Sequence, residues 1–570
     1  MKKSAIERSW VFVVGTAIFA VLIISKLFIV QVMNSEQYRI RADRQYVAPQ
    51  APVFDRGAIF LTEKDGEPVL AASILSGGRI AILPNQISDV EEAYQTLSAY
   101  LTLDKEEFVS RAGKSDDPYE IVATRVQPDI ANLIRDADID YVRVERDSWR
   151  YYPGDSLAAQ TIGFVAYDDH DLIGRYGLER SYDDVLRRSE DRLYVNFFAE
   201  IFSKIGKTVR GVQSNREADI ITTIDPWIQK YLESKLGEVT EAWQAAGAGG
   251  IVIDPATGDI VALATTPTFD LNAFNEVKDP SLYGNPLVES AYEMGSIMKP
   301  ITMAIGLDTG AVTPDSTYED KGSITLDGST ISNFDGRARG VVPMQQVLSQ
   351  SLNTGSVEVM QRVGIEQYKK YLRQFGVGEK TGIDLPNETT GLTANLDGNR
   401  PIEFATASFG QGIALSPIAM TRALSVLANG GYLVKPRITK EIDYRVGFSD
   451  ILDAAEPVPV ISPDASETIT QMLVTVVDEA LAGGTVKMEG YSIAAKTGTA
   501  QIADPVNGGY YEDRYLHSFF GYFPAYDAKY LVFLYLQEPQ DVRYSSETLT
   551  TPFFDIVKLL ISYYEIPPDR

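Results

Sequence analysis

The longest continuous run of apolar residues lies near the N-terminus. Residues 10–30 are interrupted by polar side chains only at Thr16, Ser25 and Lys26. A helix of this length rises about 30 Å, which matches the hydrocarbon core of a bilayer. A cleaved signal peptide or a buried core helix is the alternative, but no small-residue cleavage site follows the run. The pattern therefore predicts an uncleaved transmembrane anchor at 10–30.

The lengths of chain on either side of this run predict its orientation. Residues 1–9 precede it, and the rest of the 570-residue chain follows it without a second run of comparable length. Long domains cross a membrane largely regardless of the charges that flank the span. We therefore expect residues 1–9 to form a cytoplasmic tail and the body of the chain to lie outside the cytoplasm, at the cell membrane.

Residues 31–220 show a mixed pattern of short apolar alternations, many acidic residues and several Gly or Pro breaks. This pattern is typical of an α+β region. It predicts a charged helix directly after the anchor, at 34–46, and further helices around 89–103 and 128–136. No motif in this region indicates a particular chemistry.

A different pattern begins near residue 220. A β-branched run at 221–224 precedes Asp225 and Pro226, which predict a helix start with an N-cap and a proline in the first turn, and the helix runs to Ala246. Three glycines within 247–250 then predict a turn. The elements expected to open and close this larger domain, 221–570, are strands at 251–254, 259–265, 518–523 and 530–536 and a helix at 551–564.

Composition and charge exclude several classes of site. The chain has 52 basic and 78 acidic residues, a net charge of −26, no cysteine and only two histidines, His170 and His517. Without cysteine there can be no disulfide, cysteine nucleophile or thiolate metal site, and two distant histidines leave little for a histidine metal site. The acidic excess argues against nucleic acid, whose phosphates need clustered Lys and Arg.

One segment carries a candidate nucleophile and base. Ser296 and Lys299 stand three positions apart at the start of a predicted helix that stops at Gly310. Positions i and i+3 share a helix face, so the Lys299 amine can reach the Ser296 hydroxyl. Serine needs a base to take its proton, and lysine can do so only when neutral. Lowering an amine pKa from about 10.4 to about 7 requires roughly 4–5 kcal/mol, which burial and a second cation can supply.

The Ser-x-x-Lys pattern alone is weak, because it arises by chance about once or twice in a chain of this length. Without a catalytic role, the same pattern is expected at an ordinary, solvent-exposed helix start. Two further motifs strengthen it by following in order, and these are Ser351-Leu352-Asn353 and Lys496-Thr497-Gly498-Thr499.

A second Lys-Thr-Gly pattern competes with the last motif. Lys380-Thr381-Gly382 follows a glycine-rich break after a predicted helix, which is typical of a solvated turn. Lys496 instead follows an alternating β-like run at 491–495, and the edge of such a strand can pair with an extended peptide. We therefore assign the functional motif to Lys496.

With these three motifs the chain resembles the class B penicillin-binding proteins, which are monofunctional peptidoglycan D,D-transpeptidases, and most closely their division-type, FtsI-like branch. The resemblance covers almost the whole chain and includes Arg56-Gly57-Ala58-Ile59, Tyr152-Pro153, Gly163-Phe164-Val165, Gly177-Leu178-Glu179, Phe409-Gly410-Gln411-Gly412, Ala428-Asn429-Gly430-Gly431 and His517-Ser518-Phe519-Phe520-Gly521. Met294 stands where the family usually has proline, and Gln160 where histidine is frequent. Asn353, rather than aspartate, favours the division-type branch.

The resemblance implies an α+β architecture. A single N-terminal transmembrane helix would be followed by an elongated α+β pedestal (dimerisation-like) domain at 31–220. A transpeptidase domain at 221–570 would then have an antiparallel sheet flanked by helices. The implied activity is the crosslinking of stem peptides in septal cell-wall synthesis, covalently inhibited by β-lactams, with no metal and no cofactor.

The resemblance also implies a role for each residue of the first two motifs. Ser296 would attack the carbonyl between the last two D-alanines of a stem peptide, with Lys299 as its base. Ser351 would relay the proton to the leaving amine. Asn353 would hold the amide of the acyl chain.

The third motif would bind the end of the substrate. Lys496 would lower the pKa of its neighbours and attract the terminal carboxylate, and Thr497 and Thr499 would hydrogen-bond it, with Gly498 between them in the binding strand. The backbone N–H groups of Ser296 and Thr499 would form an oxyanion hole. His517 is expected to pack or hydrogen-bond beside the site rather than act as a base.

The implied partners are peptidoglycan stem peptides, β-lactam antibiotics, the inner (cytoplasmic) membrane, a SEDS-type membrane glycosyltransferase and division proteins, and no nucleic acid. Two alternatives stay open. A D,D-carboxypeptidase or β-lactamase-like hydrolase would use water as the acceptor, but no clear segment supplies a deacylating glutamate. A non-catalytic β-lactam sensor or scaffold would have a degenerate site, whereas the motifs here are intact.

Overall fold

A computed structural model of the protein describes residues 55–168, 171–188, 217–445 and 448–570. The predicted tail, the anchor at 10–30, the helix at 34–46 and His170 lie outside the described residues. Within the described part of the chain, no helix combines the length and the apolar character needed to cross a membrane.

Strands and helices are distributed along the whole described chain. The strands are β1 (Ile59–Thr62), β2 (Pro68–Ile82), β3 (Glu120–Val126), β4 (Val142–Tyr151), β5 (Val165–Asp168), β6 (Asp171–Gly174), β7 (Ala218–Thr222), β8 (Gly247–Ile253), β9 (Ile260–Thr266), β10 (Thr317–Asp320), β11 (Ser323–Leu326), β12 (Ser329–Ser332), β13 (Gly340–Pro343), β14 (Tyr432–Leu433), β15 (Thr439–Tyr444), β16 (Phe448–Ile451), β17 (Val458–Pro459), β18 (Ala494–Ala503), β19 (Tyr510–Phe523) and β20 (Tyr530–Gln537). The α-helices are α1 (Val90–Ser98), α2 (Lys105–Ala112), α3 (Pro128–Asp136), α4 (Ala159–Ile162), α5 (Gly177–Ser181), α6 (Asp183–Leu186), α7 (Pro226–Ala242), α8 (Pro286–Glu289), α9 (Lys299–Asp308), α10 (Met344–Ser349), α11 (Asn353–Val363), α12 (Ile365–Gln374), α13 (Pro401–Ala407), α14 (Pro417–Ala428), α15 (Pro463–Thr475), α16 (Ser545–Thr548) and α17 (Thr550–Tyr563).

Residues 76–148 form one compact unit. In it the C-terminal part of β2 pairs with β3 and with β4. Helices α1 and α2 each begin after an aspartate, Asp89 and Asp104, whose carboxylate accepts hydrogen bonds from N–H groups of the first turn. The helices and strands share a small apolar core that includes Leu97 and Phe108.

The second unit contains the described residues of 55–75, 149–188 and 217–570. Its central sheet has five antiparallel strands in the order β18-β19-β20-β8-β9. A further sheet runs in the order β16-β15-β7-β1-β2, with β1 parallel to β7. Residues 55–75 and 149–188, which we assigned by sequence to the pedestal, therefore cluster with the C-terminal part of the chain.

The five-stranded sheet is covered on both faces. Along β20, Phe533 and Tyr535 join one apolar cluster, whereas Val532 and Leu534 join the other. Helices α7 and α17 supply side chains to the second cluster, and α9 and α14 to the first. A strand buried on both faces is apolar at successive positions, which explains the continuous hydrophobic run of β20.

A buried ionic cluster joins three segments of the second unit. Arg56 Nε lies 2.6 Å from Glu179 Oε2, and Arg150 Nε lies 2.6 Å from Glu179 Oε1. A second nitrogen of Arg56 lies 2.7 Å from Asp183 Oδ1. The Arg56 and Glu179 segments, both part of the resemblance found by sequence, thus meet in space and hold β1, β4 and α5 together.

The glycines at 247–250 lie in a strand, so the turn predicted there is wrong. Strand β8 begins at Gly247, and all of its residues are buried. A β-carbon on Gly249 would lie 2.4 Å from Tyr535 Cε1, and one on Gly250 would lie 2.8 Å from Leu232 Cδ1. These glycines admit large side chains from β20 and α7, a tertiary requirement that local turn propensity does not reveal.

Other predicted elements are confirmed with shifted bounds. Asp225 caps α7 as expected, but the helix ends at Ala242 rather than Ala246, because Gln244 has a left-handed φ of 44°. The helix predicted at 89–103 is shorter in the structure, where α1 ends at Ser98 and Asp104 caps the separate helix α2. The expected helix at 128–136 and the closing elements at 518–523, 530–536 and 551–564 correspond to α3, β19, β20 and α17.

The packing around β8 makes Gly249 sensitive to substitution. We expect Gly249→Ala to lower the free energy of unfolding by about 1–3 kcal/mol, because the new methyl group must displace the Tyr535 ring. Gly237→Ala in α7 is the matched control. Among the described residues, no atom outside the adjoining backbone of α7 lies within 4 Å of its β-carbon position, so loss of a helical glycine should raise stability by about 0.5–1 kcal/mol. Thermal unfolding measures both changes, and a stabilised Gly249→Ala variant would contradict the packing argument.

Candidate active site

Ser296 lies in a turn of 3-10 helix, at 295–298, that leads directly into α9. The α-helix itself begins at Lys299, three residues later than predicted. Gly295 has a left-handed φ of 63°, and a β-carbon there would lie 2.8 Å from the carbonyl oxygen of Thr499. Glycine therefore allows the turn that carries the serine to lie directly against β18.

The Lys299 side chain is buried, with 1% of its surface exposed. Its amine donates hydrogen bonds to the Ser351 carbonyl at 2.5 Å and to Ser351 Oγ at 3.1 Å. Burial, and next the positive charge of Lys496, hold the Lys299 pKa well below its usual range. These are the two causes that we expected from the sequence. The amine's hydrogen bonds go to Ser351, however, rather than to Ser296.

Ser351 occupies the bend between α10 and α11. Its φ of 54° is left-handed, a conformation that costs a non-glycine residue of order 1–3 kcal/mol and persists where the surroundings hold it. The bend brings both the carbonyl and the hydroxyl of Ser351 to the Lys299 amine. Asn353 is the first residue of α11, and its side-chain N–H donates to the Ser332 carbonyl at 2.9 Å.

A buried carboxylate supports this bend, and sequence reasoning missed it. Asp320, 1% exposed, accepts hydrogen bonds from the Thr354 hydroxyl at 2.8 Å, from the Asn333 side chain at 3.0 Å and from the backbone N–H groups of Gly322 and Arg339. Thr354 directly follows Asn353. Asp320 thus links the start of α11 to the loop after β12. These residues are far apart in the chain, and no local sequence pattern predicts their contact.

Strand β18 brings the third motif to the same place. Lys496 is 3% exposed, its amine donates to the Thr497 carbonyl at 3.0 Å, and burial lowers its pKa to about 8. A β-carbon on Gly498 would lie 2.7 Å from the Met294 carbonyl oxygen and 3.0 Å from Ile297 Cγ2. The strand therefore passes against the turn that carries the serine, with no room for a side chain between them.

Strand β19 fixes that turn from behind. The Ser518 hydroxyl donates to the Met294 carbonyl at 2.8 Å, inside the buried region. Strand β18 is the last strand of its sheet and pairs only with β19 among the described strands. Its outer edge can therefore accept an extended peptide as an additional strand.

The expectation for His517 is confirmed. It lies in β19, fully buried and in register with Thr499. One ring nitrogen, Nδ1, lies 2.9 Å from Thr548 Oγ1, and Nε2 lies 3.1 Å from the Arg543 carbonyl. Burial lowers the His517 pKa to about 4, so the ring is neutral near pH 7. With both nitrogens engaged, it is not free to act as a base.

The competing Lys-Thr-Gly pattern lies elsewhere. Lys380 is exposed in an irregular segment. The backbone N–H and the hydroxyl of Thr381 both donate to Glu388 at 2.5 Å. This pattern therefore forms a local turn around a carboxylate.

The arrangement brings a serine hydroxyl, a buried amine with a lowered pKa and a second lysine to one region of the second unit. Such a group of side chains can generate an alkoxide, attack a carbonyl carbon and attract a carboxylate. No group of three or more His, Asp or Glu side chains within residues 55–168, 171–188, 217–445 and 448–570 is placed to hold a metal ion.

Comparison with known families gives two matches. A model described as the penicillin binding protein transpeptidase domain matches residues 248–558. A model described as the penicillin-binding protein dimerisation domain matches residues 54–214. The first match alone covers more than half of the chain.

Individual relatives agree with these matches. The chain is 32% identical over 469 residues to the penicillin-binding protein PbpB of Mycolicibacterium smegmatis, covering 80% of this chain and 71% of the relative. It is 31% identical over 515 residues to the stage V sporulation protein D of Bacillus subtilis, covering 87% and 76%. A crystal structure of penicillin binding protein 3 from Mycobacterium tuberculosis in complex with aztreonam superimposes with a TM-score of 0.65 at 30% identity, over 75% of this chain and 92% of that one.

Proposed function

The chain belongs to the class B penicillin-binding proteins, and on that premise we propose that it is a peptidoglycan D,D-transpeptidase that forms an acyl-enzyme on Ser296. The environment of Lys299 carries this proposal. Its amine is buried and hydrogen-bonded to Ser351, and burial and the neighbouring charge of Lys496 lower its pKa, which favours the neutral form. A neutral amine close to a serine can replace the histidine of other serine enzymes as the base.

In the first step Ser296 Oγ attacks the carbonyl carbon between the last two D-alanines of a stem peptide. The Lys299 amine takes the hydroxyl proton as the new C–O bond forms. The backbone N–H groups of Ser296 and Thr499 donate to the oxyanion. As the intermediate collapses, the C–N bond breaks, Ser351 relays the proton to the leaving amine, and the terminal D-alanine departs.

The second step transfers the acyl group. An amine of a neighbouring stem peptide attacks the ester carbonyl on Ser296, and the Lys299 amine takes the proton that the nucleophile loses. The C–O bond breaks, the proton returns to Ser296 Oγ, and an amide crosslink forms. A β-lactam resembles the D-Ala-D-Ala end and would acylate the same oxygen, but without a competent acceptor the ester would persist.

We assign recognition of the donor peptide to β18 and α11. Below a pH of about 8, the Lys496 cation attracts the terminal carboxylate, which also accepts hydrogen bonds from the hydroxyls of Thr497 and Thr499. Gly498 lets the strand approach the serine turn closely. Asn353 holds the amide of the acyl chain from the opposite side.

We also propose a location and partners. The apolar run at 10–30 supports a single-pass anchor in the cytoplasmic membrane, with the catalytic domain outside the cytoplasm. The FtsI-like resemblance and Asn353 support a place in septal cell-wall synthesis, beside a SEDS-type membrane glycosyltransferase and division proteins. Localising a fluorescent fusion to midcell or to the sidewall separates division from elongation.

The lifetime of the penicillin adduct tests the reaction class. We expect a fluorescent penicillin to label one site per chain and to stay attached after free ligand is removed, because the sequence offers no clear segment that supplies a deacylating glutamate. With a D-Ala-D-Ala donor and an amine acceptor, the main product should be the new amide. Release of hydrolysed penicillin in many-fold excess over protein would instead identify a hydrolase, and no labelling at all would identify a non-catalytic protein.

A further inference from the structure

The Thr499 hydroxyl has a defined hydrogen-bond polarity. Its oxygen accepts a hydrogen bond from the backbone N–H of Ser545 at 3.1 Å. A hydroxyl has a single proton. Because the amide donates to the oxygen, the hydroxyl proton remains available for an acceptor in the site. The hydrogen bond from the Ser545 amide thus leaves the Thr499 hydroxyl free to donate its proton. A substrate carboxylate requires such a donor.

The position of the Ser545 amide depends on the segment 543–548. The Ser545 hydroxyl donates to the Ser518 carbonyl of β19 at 2.7 Å. Two further hydrogen bonds join the segment to His517. Nε2 lies 3.1 Å from the Arg543 carbonyl oxygen, and Nδ1 lies 2.9 Å from Thr548 Oγ1. His517 therefore contacts the segment on both sides of Ser545.

The chemistry of these contacts defines the state of the ring. A carbonyl oxygen only accepts, so Nε2 of His517 carries the proton and donates to Arg543. Nδ1 then accepts from the Thr548 hydroxyl, whose single proton is shared between Nδ1 at 2.9 Å and the Ser545 carbonyl at 3.2 Å. Both ring nitrogens of His517 therefore contact the 543–548 segment. His517 is also the residue of β19 that pairs with Thr499 of β18. A buried residue that served only packing would not need this pair of polar contacts.

We infer that His517 is a positioning residue for carboxylate recognition, because it holds the 543–548 segment so that the Ser545 amide orients the Thr499 hydroxyl as a donor to the substrate. This inference rests on the proposed function, in which Thr499 binds the terminal carboxylate. His517 itself touches neither substrate nor reacting atoms.

The test compares acylation by a fluorescent penicillin with acylation by its methyl ester, in which the carboxylate is blocked. His517→Phe keeps an aromatic ring but removes both nitrogens. We expect it to slow acylation by the acid about 10-fold or more, the contribution of a hydrogen bond to a charged group, and to leave the rate for the ester unchanged. His517→Gln, which retains an N–H that can reach Arg543, should recover part of the loss.

A double-mutant cycle tests whether the effect passes through Thr499. In a Thr499→Val background, His517→Phe should cause no further loss with the acid. Tyr522→Phe is the matched control, since it removes a buried hydrogen bond to Thr470 at 2.8 Å from the same strand. It should lower stability and leave the ratio of acid to ester rates as in the parent protein.

The outcomes separate the inference from the proposed function. Equal losses with acid and ester, or additive losses in the cycle, would overturn the positioning role. If the parent protein forms no adduct with either compound, the proposed function fails instead. Should His517→Phe not fold, Thr548→Val removes the Nδ1 partner, together with the hydrogen bond from Thr548 to the Ser545 carbonyl at 3.2 Å. It is expected to shift the same ratio in the same direction, and an unchanged ratio would again overturn the role.

Discussion

Replacement of Ser296 by alanine is expected to abolish covalent labelling by penicillin and to leave the protein folded. The reason is direct, because the acyl group is bonded to Ser296 Oγ and no other atom in the mechanism can replace it. The side chain is only half-buried in its turn, so loss of the hydroxyl should change the free energy of unfolding by less than about 1 kcal/mol. Intact-mass measurement after incubation with penicillin detects the adduct.

The matched control for this variant is Ser356→Ala. Ser356 lies in α11, is 1% exposed, and its hydroxyl oxygen has no hydrogen-bond partner within the described residues. Removing that hydroxyl should leave both the adduct and its rate of formation unchanged. A full adduct on the Ser296→Ala protein would refute the assignment of the nucleophile, whichever residue then carried the label.

The second large effect is expected for Lys299→Arg, which should slow acylation about 10²–10⁴-fold, the usual contribution of a general base. A guanidinium stays protonated even when buried, so it cannot take the hydroxyl proton. Lys299→Arg keeps a nitrogen-bearing chain of similar length, so in a variant shown by thermal unfolding to be folded the loss reports basicity. Stopped-flow or quench measurement of the acylation rate gives the comparison, and a rate within tenfold of the parent would exclude Lys299 as the base.

The pH profile of the parent protein gives an independent check on Lys299. The amine is active when neutral, so the acylation rate should rise with pH through the Lys299 pKa, level off, and then decline above about pH 8, where Lys496 loses the charge that attracts the carboxylate. Lys496→Gln removes a neighbouring positive charge, and the protonated form of Lys299 becomes less unfavourable. Its pKa should rise, and the rising limb should move to higher pH. The decline above about pH 8, where Lys496 itself loses its proton, should disappear in the same variant.

The sequence predicts Ser296 and Lys299 as a candidate reactive pair, and the reason is local. An i, i+3 spacing at a helix start restricts where two side chains can lie, whatever the rest of the fold does. It also predicted that Lys299 needs burial and a second cation, because an amine in water would be protonated. The structure supplies both, with Lys496 as the cation.

The hydrogen-bond partners of the pair could not be predicted in the same way. The Lys299 amine binds Ser351, more than fifty positions away, because a left-handed bend at Ser351 presents its carbonyl and hydroxyl together. Asp320 supports that bend from another part of the chain. Contacts of this kind depend on tertiary packing, for which a single sequence has no periodic signal.

The glycines of β8 show the opposite failure. Three glycines in four positions favour a turn by local propensity, yet Gly249 and Gly250 lie in the middle of the sheet. Their small size is a response to Tyr535 and Leu232, which occupy the space on either face. Turn propensity reflects the backbone conformations that glycine itself can adopt. In β8, glycine is needed because the side chains of Tyr535 and Leu232 occupy the space that a β-carbon would fill.

The interleaving of the two compact units along the chain has a consequence for biosynthesis. Residues 76–148 are contiguous, so this unit can close soon after it leaves the ribosome. Strand β1 instead pairs with β7, and β7 with β15, whose first residue, Thr439, follows Thr222 of β7 by roughly 220 positions. At about 5–20 residues per second, this interval lasts roughly 10–45 s. The outer edge of β7 lacks its partner strand throughout that time, so the sheet that contains β1 and β7 is completed only after most of the chain has been synthesised.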